Sequence, residues 1–296
     1  MRVNRAVFLS SAGALCASMR FPAKAETLDL SAVINELAGT AGVFARTMAP
    51  GAPLVTYNAD VVFPAASVIK LLIMLSAYRA QDRTANALSA PVTIRRSDLV
   101  GGSPFLAGAR GGERYTVMQL LVPMIRLSDN SAANALISHF GFDVINASAA
   151  FAGLQHTHLR RHFLDYSAIV HHHENVTTPH DIGSLLYQIE RGSHEGMDTV
   201  ASSASCRKMI DIMLGQTDRD KIPSGIPVGV PIANKTGEVD GVRNDAAIVN
   251  PYGDAPFVLC VLTKYVTNYA SALHAISAIA NAVYWRVKNS ADESGP

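Results

Sequence analysis

Strand-like patterns lie at both ends of this chain and enclose a middle whose apolar spacing is mostly helical. Near the N-terminus, residues 42–48 and 54–57 are separated by the turn-rich segment 49–53, which indicates a hairpin. Three more strand patterns follow near the C-terminus: 232–239, 243–250 and 257–265. Because strands from both ends need partners, this order predicts one antiparallel sheet with a helical lobe inserted between its strands.

Amphipathic helical patterns flank the predicted sheet at 30–38 and 269–287. We therefore predict an α+β fold, in which an antiparallel sheet is flanked by N- and C-terminal helices and carries an inserted all-α lobe. The predicted boundaries are 26–62 and 209–290 for the α/β lobe, 63–208 for the all-α lobe and 291–296 for a tail. A chain of 296 residues is long enough for one large domain or two closely packed lobes.

The first 25 residues have the pattern of an export signal. Arg2 and Arg5 precede an apolar run over 6–19, and Ala23-Lys24-Ala25 is a small-x-small cleavage site. The apolar run is too short for stable membrane insertion, so we predict a secreted or periplasmic protein after cleavage. Without the four basic residues of this segment the formal net charge changes from +1 to −3, which gives no electrostatic case for nucleic acid as a partner.

The cysteines and histidines predict neither a redox centre nor a metal site. Cys260 lies in an apolar strand pattern, so a buried thiol is favoured over a disulfide with Cys206. The run His171–His173 next to Glu174 resembles a set of metal ligands. However, consecutive histidines on a loop cannot all face one ion, and we expect a solvated loop without metal.

The first candidate for chemistry is the pair Ser67 and Lys70, which opens an apolar run with helical spacing. Residues three apart share a helix face, so the lysine points toward the serine hydroxyl. A lysine packed among apolar residues can lose enough basicity to take a serine proton, and a helix N-terminus supplies N–H groups for an oxyanion. The alternative interpretation is a helix-capping serine followed by a surface lysine.

A second motif, Ser128-Asp129-Asn130, places a hydroxyl and a carboxamide on a loop that opens a helix. In a catalytic site, Ser128 relays a proton to a leaving amine and Asn130 holds a substrate amide. The alternative is that these polar side chains only cap the helix.

A third motif, Lys235-Thr236-Gly237, lies on a predicted strand before the turn at Asp240-Gly241. The lysine and the hydroxyl suit a carboxylate, and the glycine lets a substrate backbone approach the strand. The alternative is an edge strand with a surface lysine.

Together and in this order, the three motifs form the set found in class A β-lactamases and penicillin-binding proteins. The chain beyond residue 25 resembles the class A serine β-lactamase family, with further matches at Asn134, 177–179 and 243–245. The resemblance implies an active site in a cleft between two lobes, a Ser67 acyl-enzyme, no cofactor and a monomer. It also implies an oxyanion hole formed by the backbone N–H groups of Ser67 and Glu238. The residues that it assigns to substrate binding are Asn130, Lys235, Thr236, Gly237 and Arg243.

The chain departs from this family in the loop that we call the Ω-type loop, residues 161–175. The family carries a glutamate there, followed by proline, that activates the water for deacylation. Matching Arg161 and its neighbours to the family pattern places Phe163 at the position of that glutamate. Asp165 is the nearby carboxylate and becomes the candidate deacylation base. Arg161 and Asn175 are expected to hold the ends of the loop.

Glu238 is a second departure, because the family usually has a small residue at this position. Positions two apart on a strand share a face, so its carboxylate is predicted to enter the anion pocket beside Thr236. Lys235 or Arg243 could neutralise it, it could act as a base, or it could turn to solvent. Our hypothesis is that Glu238 restrains recognition of penicillins and favours ligands with a neutral or cationic group.

Three functions are consistent with the sequence. The first is an exported serine hydrolase of the class A type, which opens β-lactam rings through a Ser67 acyl-enzyme and then hydrolyses it. The second is a D,D-peptidase or penicillin-binding cell-wall enzyme, which acts on peptidoglycan stem peptides and deacylates slowly. The third is a non-catalytic binding module on the same fold. The lifetime of the acyl-enzyme distinguishes the first two, and the third forms no adduct.

Overall fold

The computed structural model describes residues 28–194, 196–197 and 199–293. The predicted signal peptide, residues 1–25, lies outside these. Nine strands are present in this part of the chain: β1 Thr40–Thr47, β2 Val55–Tyr57, β3 Phe63–Pro64, β4 Pro91–Thr93, β5 Arg114–Thr116, β6 Val176–Thr177, β7 Ile232–Val239, β8 Val242–Val249 and β9 Phe257–Lys264. The described α-helices are α1 Ser31–Asn35, α2 Lys70–Arg83, α3 Val117–Arg126, α4 Asn130–Phe140, α5 Phe142–Phe151, α6 Tyr166–Val170, α7 Pro179–Gly192, α8 Ser203–Met213 and α9 Tyr269–Glu293.

The main sheet combines strands from both ends of the chain in the order β2-β1-β9-β8-β7. All four pairings are antiparallel. Strands β1 and β9 join the two ends of the chain, and Phe44 of β1 lies opposite Cys260 of β9. The hairpin between β7 and β8 turns at Gly241, whose φ of +69° is a conformation that glycine adopts without strain. The predicted α+β class, with its sheet built from both ends, is confirmed.

Each face of the sheet packs against helices, which explains why the first six residues of β9, 257–262, are all apolar. Leu259 and Val261 point to the core beneath α1 and α9, whereas Val258 and Leu262 point to the core shared with the helical part. Side chains alternate between the faces of a strand, so a strand buried on both faces needs apolar residues throughout. Each such side chain contributes about 1.5–3 kcal/mol when fully buried.

Two helices cross the predicted lobe boundaries. Helix α8 crosses the predicted boundary between 208 and 209, and α9 continues through residue 293 into the predicted tail. The core on the α2 side of the sheet includes residues from the sheet and from the helical segment alike. The division into two lobes therefore stays a prediction.

The remaining predictions about the whole chain concern the thiols and the membrane. Cys206 and Cys260 are both buried in the described structure, and no disulfide joins them. None of the described helices is both long enough and apolar enough to cross a membrane.

Gly225 brings the turn before β7 against α9 and provides a test of this packing. A Cβ at Gly225 would lie inside the van der Waals distance of the Ser277 carbonyl oxygen, which is backbone and cannot move aside. We expect Gly225→Ala to lower the free energy of unfolding by about 1–3 kcal/mol, as overpacking usually does. Urea denaturation measures this. Gly108→Ala, which meets open space, is the control, and equal effects of the two variants would contradict the account.

Candidate active site

Ser67 lies in a short 3₁₀ turn, Ala66–Ile69, rather than at the first turn of the α-helix as the sequence predicts. Its side chain caps no helix, so its hydroxyl is left to bond Lys70, whose Nζ is 3.0 Å from Ser67 Oγ. The preceding residue, Ala66, has a φ of +45°, an uncommon conformation for a residue with a side chain. Such strain concentrates at functional sites, where the surrounding structure enforces it.

Lys70 is fully buried at the first turn of α2, where it connects the Ser67 turn to residues 128–130. Its Nζ donates to Ser128 O at 2.7 Å and to Asn130 Oδ1 at 2.7 Å, and it lies 3.2 Å from Ser128 Oγ. Burial lowers the pKa of Lys70 well below its ordinary value, and the charge of Lys235 lowers it further, against the opposing effect of Asp129. A lysine with a lowered pKa next to a serine hydroxyl has the properties of a general base.

The loop of the second motif is held in place by its aspartate. Asp129 is buried and caps α4 by accepting a hydrogen bond from Ala132 N at 2.8 Å, while its other oxygen accepts from Phe105 N and Leu106 N. The aspartate is thus structural. It presents Ser128, at a φ of +57°, to the cleft.

Ser128 Oγ lies between two buried lysines, 3.2 Å from Lys70 Nζ and 3.1 Å from Lys235 Nζ. Lys235 reaches it from β7 and also donates to Thr236 O at 2.7 Å. Burial lowers the pKa of Lys235 to about 7, although the nearby charges of Asp245 and Asp218 oppose the shift. A hydroxyl in contact with two amines of lowered pKa is well placed to relay a proton.

Gly237 allows β7 to lie directly against the turn that carries Ser67. A Cβ at this position would come within 3.1 Å of the backbone nitrogens of Ser67 and Val68, which is tighter than ordinary packing. Close approach of these two backbones is what an oxyanion hole formed by the N–H groups of Ser67 and Glu238 requires.

The Ω-type loop presents apolar residues to the cleft. The ring of Phe163 lies 4.3 Å from Lys70 Nζ, and its backbone N–H donates to Asn134 Oδ1 at 2.7 Å. The adjacent Leu164 also lines the cleft and has a φ of +59°. Asn134 therefore has a clear structural role, because it holds the loop with the ring facing the lysine.

Asp165 does not occupy the position that a deacylation base needs. Its carboxylate caps α6 by accepting from Ala168 N at 3.0 Å, and it is not among the described residues that line the cleft. The prediction of Asp165 as the base lacks structural support, because the residue serves the start of a short helix instead.

The ends of the Ω-type loop are joined by polar contacts. Arg161 pairs with Glu174 at 2.6 Å, and Asn175 Oδ1 accepts hydrogen bonds from the backbone N–H groups of Arg160 and Arg161. These contacts fix the loop at both ends, so the position of Phe163 is determined by the protein itself.

The carboxylate of Glu238 lines the cleft, as its strand position predicts, but its main partner is a residue that the sequence did not reveal. Lys221 Nζ lies 2.7 Å from Glu238 Oε1 and 2.7 Å from Asp218 Oδ2. Lys221 is 1% exposed. Burial alone would lower the pKa of Lys221, but its hydrogen bonds to the two carboxylates outweigh this and raise it. The available signal was the alternation of four charges over 218–221, just before β7.

Arg243 lies next to Glu238 and is not among the described residues that line the cleft, so the binding role predicted for it stays a prediction. Its Nε is 3.8 Å from Glu238 Oε1, and its guanidinium stacks on the ring of Tyr269 at 3.7 Å. The same group donates to the carbonyl oxygens of Val239 and Val242. These contacts keep the positive charge away from a ligand in the cleft.

The histidine run at 171–173 is exposed. Within the described residues, no group of three or more His, Cys, Asp or Glu side chains is arranged to hold a metal ion.

The three motifs meet at one open cleft of about 360 Å³. Its lining includes Ser67, Ser128, Asn130, Phe163, Thr236 and Glu238, with Lys70 and Lys235 buried directly beneath. The arrangement holds a nucleophilic hydroxyl, an amine base of lowered pKa and a second hydroxyl that shares a proton network with both lysines. Such a site is built for acyl transfer to serine.

Curated relatives of this chain are named as β-lactamases. The carbapenem-hydrolyzing β-lactamase KPC of Klebsiella oxytoca is 28% identical over 240 residues, 78% of each chain. The β-lactamase CTX-M-8 of Citrobacter amalonaticus is 29% identical over 206 residues, 69% of each chain.

Solved structures give the same result for the fold. PBP-A, captured as an acyl-enzyme with penicillin G in a leucine-to-glutamate variant, has a TM-score of 0.78 at 26% identity, over 88% of this chain and 94% of that one. The β-lactamase of Sphaerobacter thermophilus has a TM-score of 0.77 at 27% identity, over 88% and 97%. The family model described as "Beta-lactamase enzyme family" matches residues 27–287. The chain therefore belongs to the β-lactamase enzyme family, and the predicted relationship to class A serine β-lactamases is confirmed.

Proposed function

We propose that this protein is an exported serine hydrolase that opens β-lactam rings through an acyl-enzyme on Ser67. The contact that carries the proposal is the 3.0 Å hydrogen bond between Lys70 Nζ and Ser67 Oγ, made by a lysine that is fully buried and has a lowered pKa. A helix-capping serine with a surface lysine, the alternative for this pair, would show neither feature.

In the proposed acylation, Lys70 transfers the proton of Ser67 to Ser128. Neutral Lys70 takes the proton from Ser67 Oγ as this oxygen attacks the lactam carbonyl carbon, and the N–H groups of Ser67 and Glu238 bind the oxyanion. When the tetrahedral intermediate collapses, the C–N bond breaks and Ser128 Oγ gives its proton to the lactam nitrogen. Lys70, 3.2 Å from Ser128 Oγ, then returns the proton to Ser128. Hydrolysis of the Ser67 ester by water completes the reaction.

A penicillin-binding enzyme with slow deacylation is the second candidate, and Phe163 favours it. The Ω-type loop faces the nucleophile region with Phe163 and Leu164, neither of which can orient or deprotonate water. The carboxylates among the described lining residues, Asp218 and Glu238, lie on the β7 side and share Lys221. On this view the acyl-enzyme accumulates, and a stem peptide ending in a D-Ala-D-Ala type of sequence is the natural acyl donor.

The first prediction concerns the nucleophile and its base. Incubation with penicillin G should add the mass of one ligand to the protein, located by peptide mapping at Ser67. Lys70→Ala should slow adduct formation by about 10²–10⁴-fold, the usual contribution of a general base. Lys208→Ala, at a lysine whose side chain is 68% exposed and which lies outside the cleft, is the control. An adduct on another serine, or an unchanged rate in Lys70→Ala, would contradict the proposal.

The second prediction concerns deacylation. Phe163→Glu places a carboxylate beside Lys70 and should shorten the adduct lifetime by about 10²-fold or more. Phe163→Gln is the control: its side chain has the same size but no base, so it should not shorten the lifetime to this extent. Asp165→Asn should leave the lifetime unchanged, because asparagine caps a helix about as well as aspartate. Time-resolved intact mass measures all three. A strong effect of Asp165→Asn, or equal effects of the two Phe163 variants, would show that water is activated in another way.

The third prediction follows from the pKa of about 7 that burial gives Lys235. This amine is charged below pH 7 and neutral above it, so its attraction for a ligand carboxylate is lost as the pH rises through 7. The ratio of acylation rates for penicillin G and its methyl ester should therefore fall between pH 6 and 8. Titration of Lys70 affects both ligands and cancels in the ratio. Lys235→Arg, which stays charged, should give a flat ratio; a flat ratio in the parent protein would refute the assignment.

A further inference from the structure

The charge exposed at the β7 end of the cleft is negative. Asp218 and Glu238 line the cleft, with their side chains 30% and 46% exposed. The two lysines of the same region lie behind this surface: Lys221 is 1% exposed and Lys235 is fully buried, while the exposed Arg219 bonds β7 through Ile232 O and Asn234 Oδ1. A ligand that enters the cleft therefore meets the carboxylates before it can reach an amine.

Lys221 holds both carboxylates in place and neutralises only one of them. Its Nζ is 2.7 Å from an oxygen of each, so two negative charges share one buried positive charge. Burial by itself would raise the pKa of Asp218, but the hydrogen bond and the charge of Lys221, together with hydrogen bonds from Asp220 and Thr236, outweigh burial and lower the pKa, so this carboxylate is ionised at neutral pH.

Arg243 is a second cation near Glu238, but it does not offset the excess negative charge of the two carboxylates inside the cleft. Arg243 is paired opposite Glu238 across β7 and β8, and its Nε is 3.8 Å from Glu238 Oε1. Its guanidinium is committed to the Tyr269 ring and to two backbone carbonyls. It helps to anchor the Glu238 side chain, which stays 46% exposed.

We propose that Glu238, anchored by Lys221, is a specificity-determining residue. It slows acylation by donors that place a carboxylate beside Thr236 and favours donors that place a neutral or cationic group there. This inference rests on the proposed acylation of Ser67 and names its substrate class. A fixed like charge excludes a ligand more effectively than a missing contact does, since approach requires either repulsion or the rupture of the pair with Lys221.

The test compares two ligands that differ only in this charge, penicillin G and its methyl ester. In the parent protein the ester should acylate Ser67 at least as fast as the acid, measured by intact mass at pH 7. In Glu238→Gln the ratio of acid to ester should rise by about tenfold or more, because the repulsion between Glu238 and the ligand carboxylate is gone. The change in ratio should shrink at high salt, because exposed charges are screened.

Two further variants separate Glu238 from its surroundings. Asp218→Asn removes the other carboxylate but keeps the Glu238–Lys221 pair, so its effect on the ratio should have the same direction and be smaller. Glu36→Gln, an exposed acid paired at 4.0 Å with His274, should leave the ratio unchanged. Thermal unfolding of each variant controls for the fold.

The outcomes are distinct. If neither ligand acylates Ser67, the proposed function fails. If both acylate it and Glu238→Gln leaves the ratio as in the parent, the role of Glu238 is refuted while the proposed function stands. A larger effect of Asp218→Asn than of Glu238→Gln would also overturn the assignment to Glu238.

Discussion

The buried amine of Lys70 is the interaction on which the rest of the site depends. An ammonium removed from water is costly unless acceptors surround it, and here the acceptors are neutral: Ser128 O, Asn130 Oδ1 and Ser67 Oγ. They come from the turn before α2 and from the loop before α4, so both must converge on one atom. The same burial is the main cause of the lowered pKa of Lys70. The packing around the amine and its ability to act as a base for Ser67 therefore have one cause.

A second lysine, Lys235, gives proton transfer through Ser128 a direction. Lys235 contacts Ser128 Oγ from the opposite side, and its charge lowers the pKa of Lys70 further. Two ammonium groups around one hydroxyl repel each other, so the low-energy state has one protonated and one neutral amine. A hydroxyl between a charged and a neutral amine can receive a proton on one side and release it on the other. The geometry therefore couples the two ends of the cleft through Ser128.

Sequence reasoning located most of the fold and the three motifs, because both depend on local pattern. The strand-like runs near the C-terminus predicted β7–β9 to within a residue or two, and the spacing of Ser67 and Lys70 predicted their contact. The roles of Asp165 and Lys221 could not be predicted in the same way. Asp165 caps a helix of five residues that has no strong apolar period, and Lys221 reaches Glu238 from a loop whose path is determined by packing against α9.

The two walls of the cleft lead to one functional consequence. The loop side of the cleft presents Phe163 and no carboxylate among its described lining residues, whereas the strand side carries Glu238, whose charge is held by Lys221. In the reaction proposed above, a carboxylate on the strand side opposes substrate anions during acylation, and the lack of a carboxylate on the loop side removes activation of water during deacylation. Both effects act against rapid hydrolysis of penicillins, and neither disturbs the Ser67–Lys70 pair. The site thus keeps the machinery for acylation, while its walls restrict which donors react and how quickly the product leaves.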